Sequence, residues 1–138
     1  MNSFMRSVDM LHRALDANTL RYQVTANNLA NSEVPNFKRT SVNFESEIKK
    51  ALESEKNDKD AFHMLTSDER HIKSAGAYDY RTVEPRRVLD YTSTAKANGN
   101  NVDAEQEAMQ ITKIQMDYRL LTQLENFEFS QMRIAMKK

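Results

Sequence analysis

At 138 residues the chain has the length of one domain, and its composition sets several function classes aside. Twenty basic side chains balance twenty acidic ones, so no positive field recruits nucleic acid or an anionic membrane, and neither nucleic-acid nor direct lipid binding is expected. The absence of cysteine removes disulfides and thiolate chemistry, while only two glycines and two prolines leave few tight turns, which points to a helical, polar-faced protein.

The N-terminal stretch carries no signal-type apolar run, because Arg6, Asp9, His12, Arg13 and Asp16 interrupt it. Instead Phe4, Val8, Leu11, Leu15, Asn18, Tyr22, Thr25 and Leu29 alternate in steps of four and three, the seam of a heptad repeat that needs another long helix as partner. Asn18 and Thr25 interrupt that seam; polar groups at such positions either fix register or face water at an imperfect seam. A helix from about Ser3 to Asn31 would span ~43 Å. It should stop near Ser32, because Pro35 lacks an N–H and biases Val34 away from helical angles. Pro35-Asn36 has the composition of a turn centre, with asparagine tolerating the positive φ that a type II turn requires. Phe37 carries the chain away, with Lys38 and Arg39 expected in solvent.

A weaker helical pattern covers Ser41 to Asn57, with Phe44, Ile48, Ala51 and Leu52 on one face and Glu45 spaced to pair with Lys49. The charged run Glu53 to Asp60 reads as a solvated helix end and loop. Between Ala61 and Ala97 no long periodicity persists. Phe62-His63-Met64-Leu65 is a short apolar group, Thr66-Ser67-Asp68-Glu69 offers turn or capping residues, and Arg86 to Tyr91 alternates as a short strand does. Ala95 to Asn101 is a loop with Gly99 at its turn. Asp103 can then cap a helix, with Gln106 completing a capping box and Glu105 and Glu107 complementing the positive helix end. That helix runs to about Met136. Ile111, Ile114, Tyr118 and Leu121 form one apolar stripe, and Met109, Met116, Leu120, Leu124, Phe127 and Ile134 form a second, a face wider than one helical partner covers.

The expected fold is mainly α. Residues 1–32 and 103–138 would form one core domain, an antiparallel coiled-coil-like pair of long helices, and 33–102 a middle segment that is irregular or partly β. Helices of ~43 and ~50 Å exceed a globule of this length, whose radius of gyration would be ~14 Å, so the molecule should be elongated. Chemistry is thinly represented. His12, His63 and His71 lack the spacing of a zinc motif, and there is no phosphate loop, nucleophile elbow or EF-hand spacing. No catalytic, metal or cofactor-binding residue is assigned, no cofactor is expected, and the protein is not expected to be an enzyme.

Two motifs carry more information. The run Ala26-Asn27-Asn28-Leu29-Ala30-Asn31, followed by Pro35, Asn36 and Phe37, resembles the helix-end signature of the flagellar rod and hook family. Asn36 stands where that family often has glycine. Far downstream, Asn98-Gly99-Asn100-Asn101-Val102-Asp103 resembles the same family's second signature, with Asn98 in place of the usual aspartate. The resemblance implies a structural subunit of the basal-body rod, with length and motif order fitting a proximal rod protein. It further implies helical polymerisation around a tube lined by the terminal helices, and torque transmission from the membrane ring to the distal rod and hook. Export through the flagellar export apparatus without a cleaved signal is implied too, as are partners: itself, other rod proteins, the membrane ring protein FliF and the adaptor FliE. Asn27, Asn28 and Asn31 would hold the helix bend or the next subunit, or else simply end the helix. Phe4, Val8, Leu11, Leu15, Tyr22, Ile111, Ile114, Tyr118, Leu121 and Phe127 are the candidates for packing within and between subunits. A soluble coiled-coil adaptor or secretion chaperone is the alternative reading.

Overall fold

The structure is a computed structural model that describes residues 3–59, 70, 77–93 and 96–137. The expectations for Phe62 to Leu65, Thr66 to Glu69, His63 and His71 fall outside the described residues. The fold is mainly α, as the sequence indicates, with long terminal helices and a small two-stranded sheet between them. In chain order the elements are α1 (Ser3–Ala30), β1 (Thr40–Asn43), α2 (Glu45–Lys59), β2 (Arg86–Leu89) and α3 (Ala104–Met136), with a short 3-10 turn at Tyr80–Thr82. The chain divides into two compact units, the first made of Met1–Val42 with Arg87–Lys138 and the second of Asn43–Arg86.

In the first unit α1 and α3 run antiparallel. Phe4 meets Phe129 edge to face with ring centroids 6.0 Å apart, His12 Nε2 lies 2.6 Å from Glu125 Oε1, and Asn18 Nδ2 donates to the Ile114 carbonyl at 2.9 Å. Asn18, half of the seam's polar interruption, thus ties the pair together across 96 positions of sequence. Its Oδ1 has no hydrogen-bond partner among the described residues. α3 starts where its cap dictates: the Asp103 side chain accepts from the N–H groups of Glu105 and Gln106.

The buried face of α1 differs from the heptad seam towards its C-terminus. Val8, Asn18 and Thr25 are buried on it, but Ala17, Val24 and Asn28 share that face, and Tyr22 is 42% exposed. A straight helix drifts about 20° per heptad against a 3.5-residue repeat, so after two repeats the contact line has moved by nearly a side chain. Ala17 leaves room for close approach, and α3 answers with Ile114, 4% exposed.

The middle of the chain contains a strand that the helical reading of Ser41 onwards passes over. β1 pairs with β2. The Asp90 N–H donates to the Arg39 carbonyl at 2.9 Å and the Ser41 hydroxyl lies 3.4 Å from the Val88 carbonyl, so the strands are antiparallel. In the second unit α2 carries Glu45 and Glu47 in its first turn, favourable at a helix N-terminus. That unit buries Phe44, Ala51, Tyr80 and Val83, and Asp79 caps the 3-10 turn by accepting from the Arg81 N–H.

Candidate functional site

The two sequence motifs meet. α1 ends at Ala30 and unwinds through a turn to Ser32, slightly before the expected stop. The last carbonyls of a helix lack a donor from within it; those of Asn27, Asn28 and Leu29 accept from the N–H groups of Asn31 and Ser32 in the turn, and the carbonyls of the segment just past the helix are held by the second motif. Asn100, fully buried, shares its Nδ2 hydrogens among the carbonyls of Asn31, Ser32 and Val34 at 2.9, 3.0 and 2.8 Å. Its Oδ1 accepts from the Val102 N–H at 2.7 Å. Lys96 Nζ adds a contact of 2.8 Å to the Ser32 carbonyl and 3.0 Å to Glu33.

Asn28 works the opposite side of the helix end. Its amide group imitates a strand rung, accepting from the Thr40 N–H at 3.0 Å and donating to the Thr40 carbonyl at 2.7 Å. Its second hydrogen reaches Glu107 Oε2 at 3.2 Å, so both hydrogens and the oxygen of the group have partners. Glu107 is itself buried, and its Oε1 accepts from Arg39 Nε at 2.6 Å. Arg39 is therefore not a solvated residue, as expected from sequence, but half of an ion pair whose partner is 68 positions away. Lys38 is corrected in the same way, its Nζ donating to the Gly99 carbonyl at 2.9 Å. Asn101 completes the clasp by accepting from the Arg39 N–H at 2.6 Å and donating to the Asp90 carbonyl and the Ser93 hydroxyl. The Ser93 hydroxyl, with the N–H groups of Ser93 and Thr92, brings the Asp90 carboxyl down to about 2 from its usual 3.8.

Two backbone positions make the clasp possible. Asn36 has φ 60 and Gly99 φ 79, and the Val34 carbonyl accepts from the Phe37 N–H at 3.4 Å across Pro35-Asn36, the turn that the sequence predicts. The Asn36 N–H donates to the Asn98 carbonyl at 3.1 Å, which brings the two turns into contact. A Cβ at Gly99 would lie 2.7 Å from Asn36 Oδ1. Gly99→Ala should therefore destabilise the first unit by about 1–2 kcal/mol, from the positive φ and the contact together. The check is the urea midpoint at unchanged m-value. In an Asn36→Gly background the contact vanishes and the loss should shrink.

The remaining motif residues are local in their effects. Asn31 Nδ2 bonds the Asn27 carbonyl at 2.8 Å, the Asn27 side chain is exposed, Leu29 and Phe37 are half-buried, and Pro35 is exposed. Among the packing candidates, Val8 and Ile114 are buried, while Phe4, Leu11, Leu15, Ile111 and Leu121 are half-buried. Tyr22, Tyr118 and Phe127 are exposed. Tyr22 and Tyr118 line a groove of about 500 Å³ with Thr19, Ile114, Gln115 and Arg119.

The second stripe of α3 lies in water. Met109, Met116, Leu120, Leu124, Phe127 and Ile134 are all exposed, with Met109 and Met116 at 64% each. At 3.6 residues per turn this stripe is centred roughly 150° around the helix from the stripe of Ile111, Ile114, Tyr118 and Leu121, so α3 is apolar on two nearly opposite sides. One side meets α1; the other is an apolar surface of the kind that marks a contact with another molecule. Among the described residues no cluster of metal-ligating side chains occurs, and no helix is long and apolar enough to cross a membrane.

Compared with models of known protein families, the chain matches none. Individual relatives are informative. The flagellar basal body rod protein FlgB of Borreliella burgdorferi is 42% identical over 137 residues, covering 99% of this chain and 100% of the relative.

The chain belongs to the FlgB family of flagellar basal-body rod proteins.

FlgB of Borrelia hermsii is 37% identical over the same shares, and FlgB of Bacillus subtilis is 25% identical over 99% of this chain and 97% of its own length. As a FlgB-family member the chain is a structural subunit of the basal-body rod. These relatives carry the rod protein's name, which favours that reading over the adaptor or chaperone. In FlgB-family terms the two motifs acquire a physical content: they are halves of one hydrogen-bonded clasp within the subunit.

Proposed function

We propose that the chain is a proximal rod subunit that polymerises through the exposed stripe of α3, with the clasp holding the helix pair rigid under load. The observation that supports this most directly is the second apolar face of α3, left uncovered within a subunit whose helices are already paired. A helical tube follows when one patch of a subunit meets a different patch of the next and the rotation does not close. In this reading the neighbours are copies of the chain, other rod proteins, FliF and FliE. The subunit leaves the cell interior through the flagellar export apparatus without a cleaved signal and works in the periplasmic rod, passing torque from ring to hook. It is not an enzyme; its residues bear load rather than transform a substrate.

The test is biochemical. Detergent-washed hook and basal-body particles should contain the chain by mass spectrometry, and particles from cells lacking an intact export gate should not. Recovery from the soluble cytoplasm alone, in motile cells, would overturn the proposal and restore the adaptor reading.

A further inference from the structure

We propose that Asn98-Gly99 is a site of spontaneous deamidation, with water as co-reactant, gated by the opening of the clasp. It is the single Asn-Gly pair in the sequence, and glycine has no side chain to shield its backbone nitrogen from the preceding carboxamide. Asn98 is exposed. Its Oδ1 already accepts from the Asn100 N–H at 3.1 Å, which draws electron density from the Cγ that would be attacked. Against this, the closed clasp restrains the nucleophile. The Gly99 N–H donates to the Lys96 carbonyl at 3.1 Å, and the Asn98 carbonyl accepts from the Asn36 N–H at 3.1 Å. Attack needs both held groups to rotate, so reaction proceeds from the opened form.

The chemistry balances with water alone. The Gly99 nitrogen gives its proton to solvent and bonds to Asn98 Cγ; the Cγ–Nδ2 bond breaks and ammonia leaves, giving a cyclic imide. Water then opens the imide at one of its two carbonyls. Opening at Cγ yields aspartate, which preserves the backbone and still accepts from the Asn100 N–H. Opening at the main-chain carbonyl yields the isoaspartyl linkage, which routes the chain through Cγ and adds a methylene between residues 98 and 99. That displaces the carbonyl bonded by Asn36 and moves the Gly99 carbonyl bonded by Lys38. The isoaspartyl chain therefore cannot reclose its clasp. A latched subunit is protected, whereas one that stays open is progressively and irreversibly withdrawn.

The full-length chain is incubated at mildly alkaline pH and its tryptic peptides are followed by mass spectrometry. Asn98 should react slowly in the folded chain and fastest in denaturant, where it should outpace Asn31 before Ser32 and Asn57 before Asp58. Asn100→Ala, with helicity checked by circular dichroism, should accelerate it roughly tenfold, because three carbonyls of the turn after α1 lose their shared donor. Lys38→Ala, a milder loosening, serves if Asn100→Ala does not fold. Equal rates in the folded and denatured chain, or no acceleration in the loosened variant, would overturn the gating. An unreacted Asn98 in denaturant would overturn the site itself. Asn98→Asp should melt as the parent does while the purified isoaspartyl chain melts lower; identical melting of the two would overturn the failure to reclose.

Discussion

Arg39→Ala is expected to destabilise the first unit by about 3–5 kcal/mol, the loss typical of stranding a buried charge. The side chain of Glu107 is 1% exposed and that of Arg39 34% exposed, so the two ends of the pair are not equivalent. Without Arg39 the carboxylate keeps one donor, Asn28 Nδ2 at 3.2 Å, and otherwise faces protein. Without Glu107 the guanidinium can turn to water, and the main loss is the Asn28 hydrogen bond, so Glu107→Ala should cost about 2 kcal/mol. The ordering is the sharp part of the expectation. The double replacement Arg39→Met with Glu107→Leu should lie closer to the parent than Arg39→Ala does, since a well-filled apolar pair needs no compensation. Urea unfolding followed by helicity measures all three. An Arg39→Ala chain within about 0.5 kcal/mol of the parent, the usual range of a neutral surface change, would show that the pair carries no such strain.

Leu120→Glu and Phe127→Lys should abolish motility while leaving the isolated subunit folded. Both side chains are more than half exposed, so replacing either should alter stability by no more than about 0.5 kcal/mol. In an assembled contact the same substitutions bury an unpaired charge against an apolar neighbour, which costs several kcal/mol for each copy. Swimming in soft agar and the amount of chain in purified basal bodies give the two readouts. Asn126→Glu, exposed on a different side of α3, is the control and should swim. If Leu120→Glu and Phe127→Lys both swim and incorporate at parental levels, the stripe is not the assembly surface.

Both long helices were legible because their causes are local. Asp103 with Gln106 marks the start of α3, Pro35 marks the exit from α1, and a 3.5-residue repeat persists regardless of the surface it packs against. The turn at Asn36 was legible for the same reason, since a positive φ selects among few residue types. Arg39 and Glu107 were misjudged because an ion pair between positions 68 apart leaves no trace in the residues around either member. Composition says only that charges occur, and charges are usually in water. β1 escaped because its four residues, all half-buried, are set in place by the Asn28 carboxamide and by β2, neither of which is a neighbour in sequence. Tyr22 sat correctly in the repeat and was carried outward by the drift of a straight helix against it. The motifs themselves were visible as words; that they bond to each other was not, because a sequence motif shows where residues are required and not what they touch.

The bond from the Asp90 N–H to the Arg39 carbonyl and the contact of the Ser41 hydroxyl with the Val88 carbonyl put Val42 opposite Arg87 in the antiparallel pair, the two points at which the second unit joins the first. The whole interval Asn43–Arg86 therefore behaves as an insert in a hairpin whose stem belongs to the core. Lengthening such an insert raises its closure entropy only logarithmically, so the core tolerates a longer, shorter or unrelated one. Sequence changes within this interval should therefore leave the helix pair and its clasp in place.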